Sequence, residues 1–182
     1  MILILNGSPN KGSMTLALTE NFVKHLHKEF EIFHCYDLHI QSCNDCKFCD
    51  HKLGCNKVDD MEEIYQALRK TDTLILSSPI YFGAFSNELL KVINRFQRYF
   101  AERFVHHKKL DFHINRLIVV TSAGSKSDNM FDGARLTFDI LANLFQVKEK
   151  HFITASDTDH IPAIDNKEAL KQIEELKKKM VP

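Results

Sequence analysis

Five short runs of apolar and β-branched residues, separated by stretches with helical periodicity, constrain this chain more than any other feature. They are Met1 to Leu5, Glu31 to Tyr36, Thr73 to Ser77, Leu117 to Thr121 and Phe152 to Thr154, and each reads as a buried strand. Between the first two, Leu16, Thr19, Phe22, Val23, Leu26 and Phe30 share one face at helical spacing, with His25, His27, Lys28 and Glu29 elsewhere, which is the pattern of an amphipathic crossover helix. A second helix is predicted from Asp59 or Asp60, both good N-caps, with Met61, Ile64, Tyr65 and Leu68 on its apolar stripe. A third begins near Ser86 or Asn87 and buries Leu89, Leu90, Ile93 and Phe96; a fourth covers Phe131 to Leu144. The last follows an Asp165 cap, with Glu168 three residues on, and buries Leu170, Ile173 and Leu176. Strand and helix alternating five times require a mostly parallel sheet, and right-handed crossovers then place helices on both of its faces. In such a doubly wound α/β sandwich, ligands gather beyond the carboxyl ends of the strands near the switch point. The loops leaving the strands are therefore where function is to be sought.

A chain of 182 residues fits one domain, residues 1–182, and buries roughly two thirds of its unfolded surface without needing a metal or disulfide. Lys and Arg number 24 and Asp and Glu 24, so the formal charge is zero and nothing in it points to nucleic acid or an anionic membrane. The opening MILILNGSP is too short an apolar run for a membrane span and lacks the basic start of an export signal, so a cytoplasmic location is expected. No repeat or linker interrupts the pattern. The join from Arg95 to Arg116, with His106, His107, Lys108 and Lys109, reads as a solvated helix end and loop.

The first strand ends in Asn6-Gly7-Ser8-Pro9-Asn10-Lys11-Gly12-Ser13-Met14-Thr15, which opens directly into a helix. Backbone N–H groups at such a helix start, with the hydroxyls of Ser8, Ser13 and Thr15, can surround a phosphate monoester. The stretch lacks the GxGxxG pattern of dinucleotide folds and the GK[ST] ending of triphosphate loops, so a mononucleotide suits it better. Taken alone it is equally a well-capped helix after a turn. After the third strand, Ser77-Ser78-Pro79-Ile80-Tyr81-Phe82-Gly83-Ala84-Phe85 offers aromatic faces for a flat ring and amides for its polar edge, although Phe85 also reads as core. The fourth strand ends in Thr121-Ser122-Ala123-Gly124-Ser125. Three loops on one edge thus supply a phosphate site, a ring platform and close backbone approach.

On these residues the chain resembles the NAD(P)H-dependent FMN reductase family of flavodoxin-like proteins, whose members carry GSPxxxxxT, a P-x-Y-x-G loop and a late Ser/Gly loop. The likeness extends over about the first two thirds of the chain and implies a flavodoxin-like three-layer sandwich on a five-stranded parallel sheet of order 2-1-3-4-5. It further implies FMN phosphate contacts from Ser8, Lys11, Ser13, Met14 and Thr15, and ring contacts from Pro79, Ile80, Tyr81, Phe82 and Gly83, completed by Ser122, Ala123 and Gly124. Asn10 stands where relatives often carry Arg, and Asn94 precedes Arg95 where they often carry Asp. NADH or NADPH would be the co-substrate, with a homodimer or homotetramer expected.

Cys43, Cys46, Cys49 and Cys55 form C-x2-C-x2-C-x5-C, a spacing that lets four thiolates converge from one looping segment, as a four-iron cluster requires. The segment resembles that of the iron-sulfur flavoprotein branch of the same family, in which it binds a 4Fe-4S cluster. Ferredoxin spacing places three residues before the fourth Cys and Pro after it, whereas here the interval is five and Asn56 follows. Zinc on four thiolates and a reduced, metal-free loop remain open beside the cluster. Cys35, on the second strand, reads as a small core residue.

The function expected is an FMN-dependent oxidoreductase passing electrons from NAD(P)H to a quinone, a flavin, a nitro or azo compound, or a protein. Because the flavin carries the hard chemistry, no side chain is assigned a catalytic role. The alternatives are an electron carrier trading electrons with a ferredoxin through the cysteine segment, and a redox or metal sensor on a vestigial flavin fold.

Overall fold

In the computed structural model, which describes residues 1–127 and 129–180, the strands and helices alternate as expected. The order is β1 (Ile2–Asn6), α1 (Met14–Lys24), β2 (Phe30–His34), α2 (Phe48–His51), α3 (Met61–Leu68), β3 (Thr73–Tyr81), β4 (Ala84–Phe85), α4 (Asn87–Arg95), α5 (Gln97–Phe100), β5 (Arg116–Ser122), α6 (Asp132–Leu144), β6 (Glu149–Ala155) and α7 (Lys167–Met180). The parallel strands lie in the order β2-β1-β3-β5-β6, and β4 adds a short antiparallel hairpin to β3. Counting parallel strands alone, this is the expected 2-1-3-4-5 sheet.

The core is assembled by the two-residue period of the strands. Leu3, Leu5, Leu74, Leu76, Leu117 and Val119 join one apolar layer with residues of α3, α4 and α6. Their neighbours Ile2, Ile4, Ile75, Ile118, Val120 and Ile153 join a second layer with α1 and α7. Each aliphatic side chain buried in this way stabilises the fold by about 1.5–3 kcal/mol relative to exposure, which is why the sheet interior is nearly all Leu, Ile and Val.

Several boundaries differ from the expectation. Phe30 does not lie on the first helix, which ends at Lys24; His27 turns the chain in the left-handed region (φ 49°), and Phe30 opens β2. The N–H of Ile2 donates to the Glu29 carbonyl at 2.9 Å, so pairing with β1 claims this segment for the sheet. β2 stops at His34, and Cys35 begins a one-turn 3₁₀ helix, where it is fully buried. Asn166 rather than Asp165 caps α7: its Oδ1 accepts from the Ala169 N–H at 3.0 Å, while Asp165 lies in a preceding 3₁₀ turn. The buried stripe is consequently Ala169, Ile173, Leu176 and Met180, and Leu170 faces water. On α4 and just beyond it, Leu89, Ile93 and Phe96 are buried as expected and Leu90 only partly so.

The join between Arg95 and Arg116 is more helical than expected in its first half: α4 runs through Arg95, α5 follows, and Ala101–Val105 form a π-helical turn closed by the His106 N–H on the Ala101 carbonyl at 2.9 Å, while residues 106–115 form the expected irregular segment with His107, Lys108 and Lys109 exposed. Wide turns of this kind carry no 3.6-residue pattern that a sequence could display. Among the described residues no helix is long and apolar enough to cross a membrane.

Candidate functional site

Register brings three loops to one edge of the sheet. Asn6 at the end of β1 pairs with Ser77, and Pro79 pairs with Ser122, so the chain leaves β1, β3 and β5 side by side. The first loop is folded by its own polar side chains. Asn6 Oδ1 accepts from the Ser8 N–H (3.2 Å), Ser8 Oγ from the Asn10 N–H (3.2 Å), and Asn10 Oδ1 from the Gly12 N–H (2.9 Å). Ser13 then caps α1, its Oγ accepting from the Leu16 N–H at 3.2 Å. These Asx- and Ser-type turns explain why small polar residues fill the segment. Gly7 is required for packing: a Cβ there would stand 2.6 Å from Ser86 Oγ and 2.7 Å from Leu89 Cβ. Met14 and Thr15 are the first two residues of α1, where N–H groups have no partner inside the helix. No acidic residue occupies that turn, so its positive end is left for an external anion.

Hydroxyls knit the loop to the strands beneath it. Thr15 Oγ1 and Ser122 Oγ share a hydrogen bond across the cleft, Thr19 Oγ1 meets Ser77 Oγ at 2.9 Å, and Thr121 Oγ1 donates to the Ser78 carbonyl at 2.7 Å. In the second loop β3 turns back into β4 through Phe82 (φ 50°) and Gly83 (φ 78°), the paired positive angles of a type I′ hairpin. Holding a non-glycine residue there costs about 1 kcal/mol. Phe82 is fully exposed as a result, and Tyr81 is half-exposed at the mouth of the cleft. The turn is clamped from outside by α6, since a Cβ on Gly133 would lie 2.6 Å from the Gly83 carbonyl oxygen.

The cleft so formed has a volume of about 310 Å³. Of the residues expected at the site, Ser8, Ser13, Met14, Thr15, Pro79, Ile80, Tyr81, Ser122, Ala123 and Gly124 line it. Lys11, Phe82 and Gly83 do not: Lys11 instead pairs with Asp37 at 2.5 Å, and the hairpin turn carries Phe82 and Gly83 away. Thr158 and Asp159 line the cleft without having been expected. They follow β6, and their N–H groups donate to the carbonyls of Ala123 and Gly124 at 3.0 and 3.2 Å. The Ser-Asp-Thr-Asp run at the carboxyl end of a strand was the available signal. One end of the cleft offers amides and hydroxyls to an anion and the other an aromatic mouth, so its donors and shape fit a flavin mononucleotide.

The four clustered cysteines also come together. Cys43, Cys46, Cys49 and Cys55 line one cavity beside Arg95 and Arg98, with about 20 Å³ of free space, enough for one water. The excursion is closed at its base by two carboxylates: Asp60 Oδ2 accepts from the His39 N–H at 2.6 Å and Asp59 Oδ2 from the Gln41 N–H at 3.0 Å. Further out, His106 Nε2 meets the Cys49 carbonyl at 2.8 Å, tying the loop to the end of the π-helical turn. Burial and the neighbouring Asp50 carboxylate push the Cys49 thiol upward, and burial takes Cys35 to about 12. Among the described residues no three Cys, His, Asp or Glu side chains converge closely enough to hold a single metal ion. An iron-sulfur cluster spreads its thiolates over several irons, and the four thiols share their cavity with Arg95 and Arg98, which carry unpartnered N–H donors, a donor set that fits such an anionic group.

The parallel order and the ligand-sized cleft at the strand ends define a flavodoxin-like protein. The sequence pattern of NADPH-dependent FMN reductases matches residues 1–159, and the chain belongs to that family. It is similar to an iron-sulfur flavoprotein of Archaeoglobus fulgidus, 35% identical over 97 residues that cover 52% of this chain and 47% of the relative. An iron-sulfur flavoprotein of Methanosarcina thermophila is 27% identical over 94 residues, 50% of this chain and 49% of the relative. The chain thus spans about half the length of the curated relatives it matches. Among solved structures it resembles an NAD(P)H:quinone oxidoreductase from Methanothermobacter marburgensis, with a TM-score of 0.70 at 14% identity, covering 98% of this chain and 93% of that one. An FMN-dependent NADH-azoreductase from Bacillus anthracis in complex with FMN gives a TM-score of 0.67 at 13% identity, covering 100% and 99%. At these identities the structural likeness speaks for the fold alone.

Proposed function

We propose that this protein is an FMN-dependent oxidoreductase that takes electrons from NADH or NADPH and passes them to a quinone, a flavin, a nitro or azo compound, or a protein. The observation that carries this reading is the single cleft joining the bare start of α1 to the Tyr81 mouth. FMN bound there would supply hydride acceptance and the onward release of electrons. The chain's part is positional. Met14 and Thr15 would donate N–H groups to the phosphate, with the Ser8, Ser13 and Thr15 hydroxyls around it and Ser122 toward the ring. Pro79, Ile80, Ala123 and Gly124 bring backbone close to the ring, and Tyr81 leaves one face reachable. No residue is asked to move a proton, so none is assigned as an acid or base. Anaerobic stopped-flow mixing of the FMN-loaded protein with NADH and with NADPH tests the reading: rapid bleaching of the oxidised flavin is expected, and a flavin that stays oxidised with both overturns it.

A second reading, an electron carrier using a 4Fe-4S cluster on Cys43, Cys46, Cys49 and Cys55, is favoured by one cavity gathering all four thiols and by the similarity to iron-sulfur flavoproteins. Iron and sulfide analysis of anaerobically purified protein decides it. Self-association as a homodimer or homotetramer belongs to the same proposal. It is supported by an apolar groove of about 470 Å³ between α4, α5 and α6, bordered by the exposed Phe100, Phe104 and Ile140. Five free thiols suit a reducing compartment such as the cytoplasm.

A further inference from the structure

Arg95 is the largest fully buried side chain of the chain, and a buried guanidinium demands an explanation. Its Nη1 donates to Asp59 Oδ2 at 2.6 Å and to the Gln41 carbonyl at 2.9 Å. Those bonds use one of its three nitrogens. Nε and Nη2 are shielded from water and have no partner among the described residues. Leaving charged donors unmatched in a protein interior costs more than leaving neutral ones, so these groups call for an explanation, and a bound anionic group would supply one. Arg95 borders the cysteine cavity, and so does Arg98, whose Nε is likewise unpartnered and whose guanidinium lies 4.3 Å from the Tyr65 ring centroid. Other charges face the same space: Lys47 is neutralised by Asp45 at 2.8 Å, Asp50 adds a negative charge, and Lys57 lies at the rim.

The position of Arg95 is set independently of the cysteines. α4 carries its backbone, whose carbonyl accepts from the Tyr65 hydroxyl at 3.1 Å, and Asp59 is fixed in turn by the Gln41 and Met61 N–H groups at 3.0 and 3.2 Å. A loop that rearranges around a bound group would therefore do so against a stationary guanidinium.

Resting on the cluster reading above, we propose that Arg95 is the positioning residue of the cysteine site. Its Nε and Nη2 groups donate to the sulfur-ligated anionic centre held by Cys43, Cys46, Cys49 and Cys55 and favour its reduced form. One-electron reduction of a centre held there, by dithionite in the test below, would add one negative charge and make or break no bond. The added negative charge is met by the guanidinium, which keeps all its protons. Hydrogen bonds and charge beside such a centre are established means of raising its potential.

The test uses the full chain loaded with FMN and reconstituted anaerobically with ferrous iron and sulfide, as wild type, Arg95→Met and Arg95→Lys. Iron and acid-labile sulfide are counted, and the midpoint is read by EPR during dithionite titration. Wild type is expected to hold about four irons per chain. Arg95→Met is expected to disfavour reduction about tenfold, a shift of about 59 mV to more negative potential for one electron. Arg95→Lys, which retains charge but not the fork, should shift less. Equal midpoints in loaded wild type and loaded Arg95→Met overturn the role of Arg95 and leave the cluster standing. If Arg95→Met fails to fold or load, Arg95→Lys carries the test, and a midpoint equal to wild type overturns the proposal. A wild type that takes up no iron overturns the cluster reading and the proposal with it.

Discussion

Replacing Gly7 by Ala adds one methyl group in the loop between β1 and α1, at a point with no room for it. The new Cβ would lie 2.7 Å from Leu89 Cβ, about 0.7 Å inside the 3.4 Å at which ordinary contact begins, and 2.6 Å from Ser86 Oγ. The serine hydroxyl can rotate, but Leu89 Cβ is fixed to the backbone of α4 and is fully buried, so either α4 or the loop must move. Overpacking of this size costs about 1–3 kcal/mol. In a chain of this length each kcal/mol lowers Tm by roughly 2–4 °C, so a fall of roughly 2–12 °C is expected. Because the displaced loop carries the Met14 and Thr15 amides, FMN affinity should fall with it. Gly12→Ala is the internal control: it lies in the same loop, but its Cβ would meet only Asn10 Oδ1 at 3.5 Å. Relief of unfolded-chain entropy then leaves Tm unchanged or raises stability by about 0.4–1 kcal/mol. Differential scanning calorimetry of both apo variants, followed by FMN titration, makes the comparison. A Gly7→Ala protein melting within a degree of wild type would refute the packing argument.

Three further outcomes follow from other parts of the molecule. Phe82→Asn should raise stability by about 1 kcal/mol, because asparagine tolerates the left-handed backbone and the exposed ring is lost at little cost; a lower melting temperature would contradict this. Iodoacetamide at pH 8 should label Cys46 quickly and leave Cys35 unmodified in the folded, metal-free protein, since burial holds the Cys35 thiol near 12; peptide mass spectrometry reads the sites. Burial alone would raise the Asp59 carboxyl, but Arg95 and the Gln41 and Met61 N–H groups outweigh it and hold the group below the usual aspartate range. Its stabilisation is therefore complete above the unfolded aspartate value and is lost as pH falls through the depressed folded one. Asp59→Asn should cost about 3–5 kcal/mol at pH 7 by stranding buried Arg95, and urea midpoints between pH 7 and pH 3 should show a shallower acid loss than wild type.

The sheet was legible because its signals are local. Met1 to Leu5 form a short, wholly apolar run, which marks a strand buried on both faces, while the division of Leu3 and Leu5 from Ile2 and Ile4 between the two layers appears only in the structure. The turns of the loop after β1 were legible because they are local: Asn6, Ser8, Asn10 and Ser13 bond to backbone only two or three residues away. What escaped depends on distant partners. Phe30 has the apolar character of a helix face but is claimed by pairing with Ile2. Lys11 pairs with Asp37, which follows β2 and is brought near by it. Thr158 and Asp159 reach the cleft only because β6 pairs with β5 and their amides find Ala123 and Gly124. Arg95, an ordinary basic residue at the end of α4, owes its role to partners distant in sequence, Asp59 and the Gln41 carbonyl.

The two carboxylates at the base of that excursion have a consequence for how such proteins diversify. With Asp60 holding His39 and Asp59 holding Gln41, the ends of the segment are pinned at the mouth whatever lies between them. Closing a longer loop between fixed ends adds only about 0.6 kcal/mol for each doubling of length. A change of length within the thiol-bearing stretch would accordingly cost little while β1 and β3 keep their register. A five-residue gap before Cys55 where ferredoxins have three is the kind of variation that such a mounting tolerates.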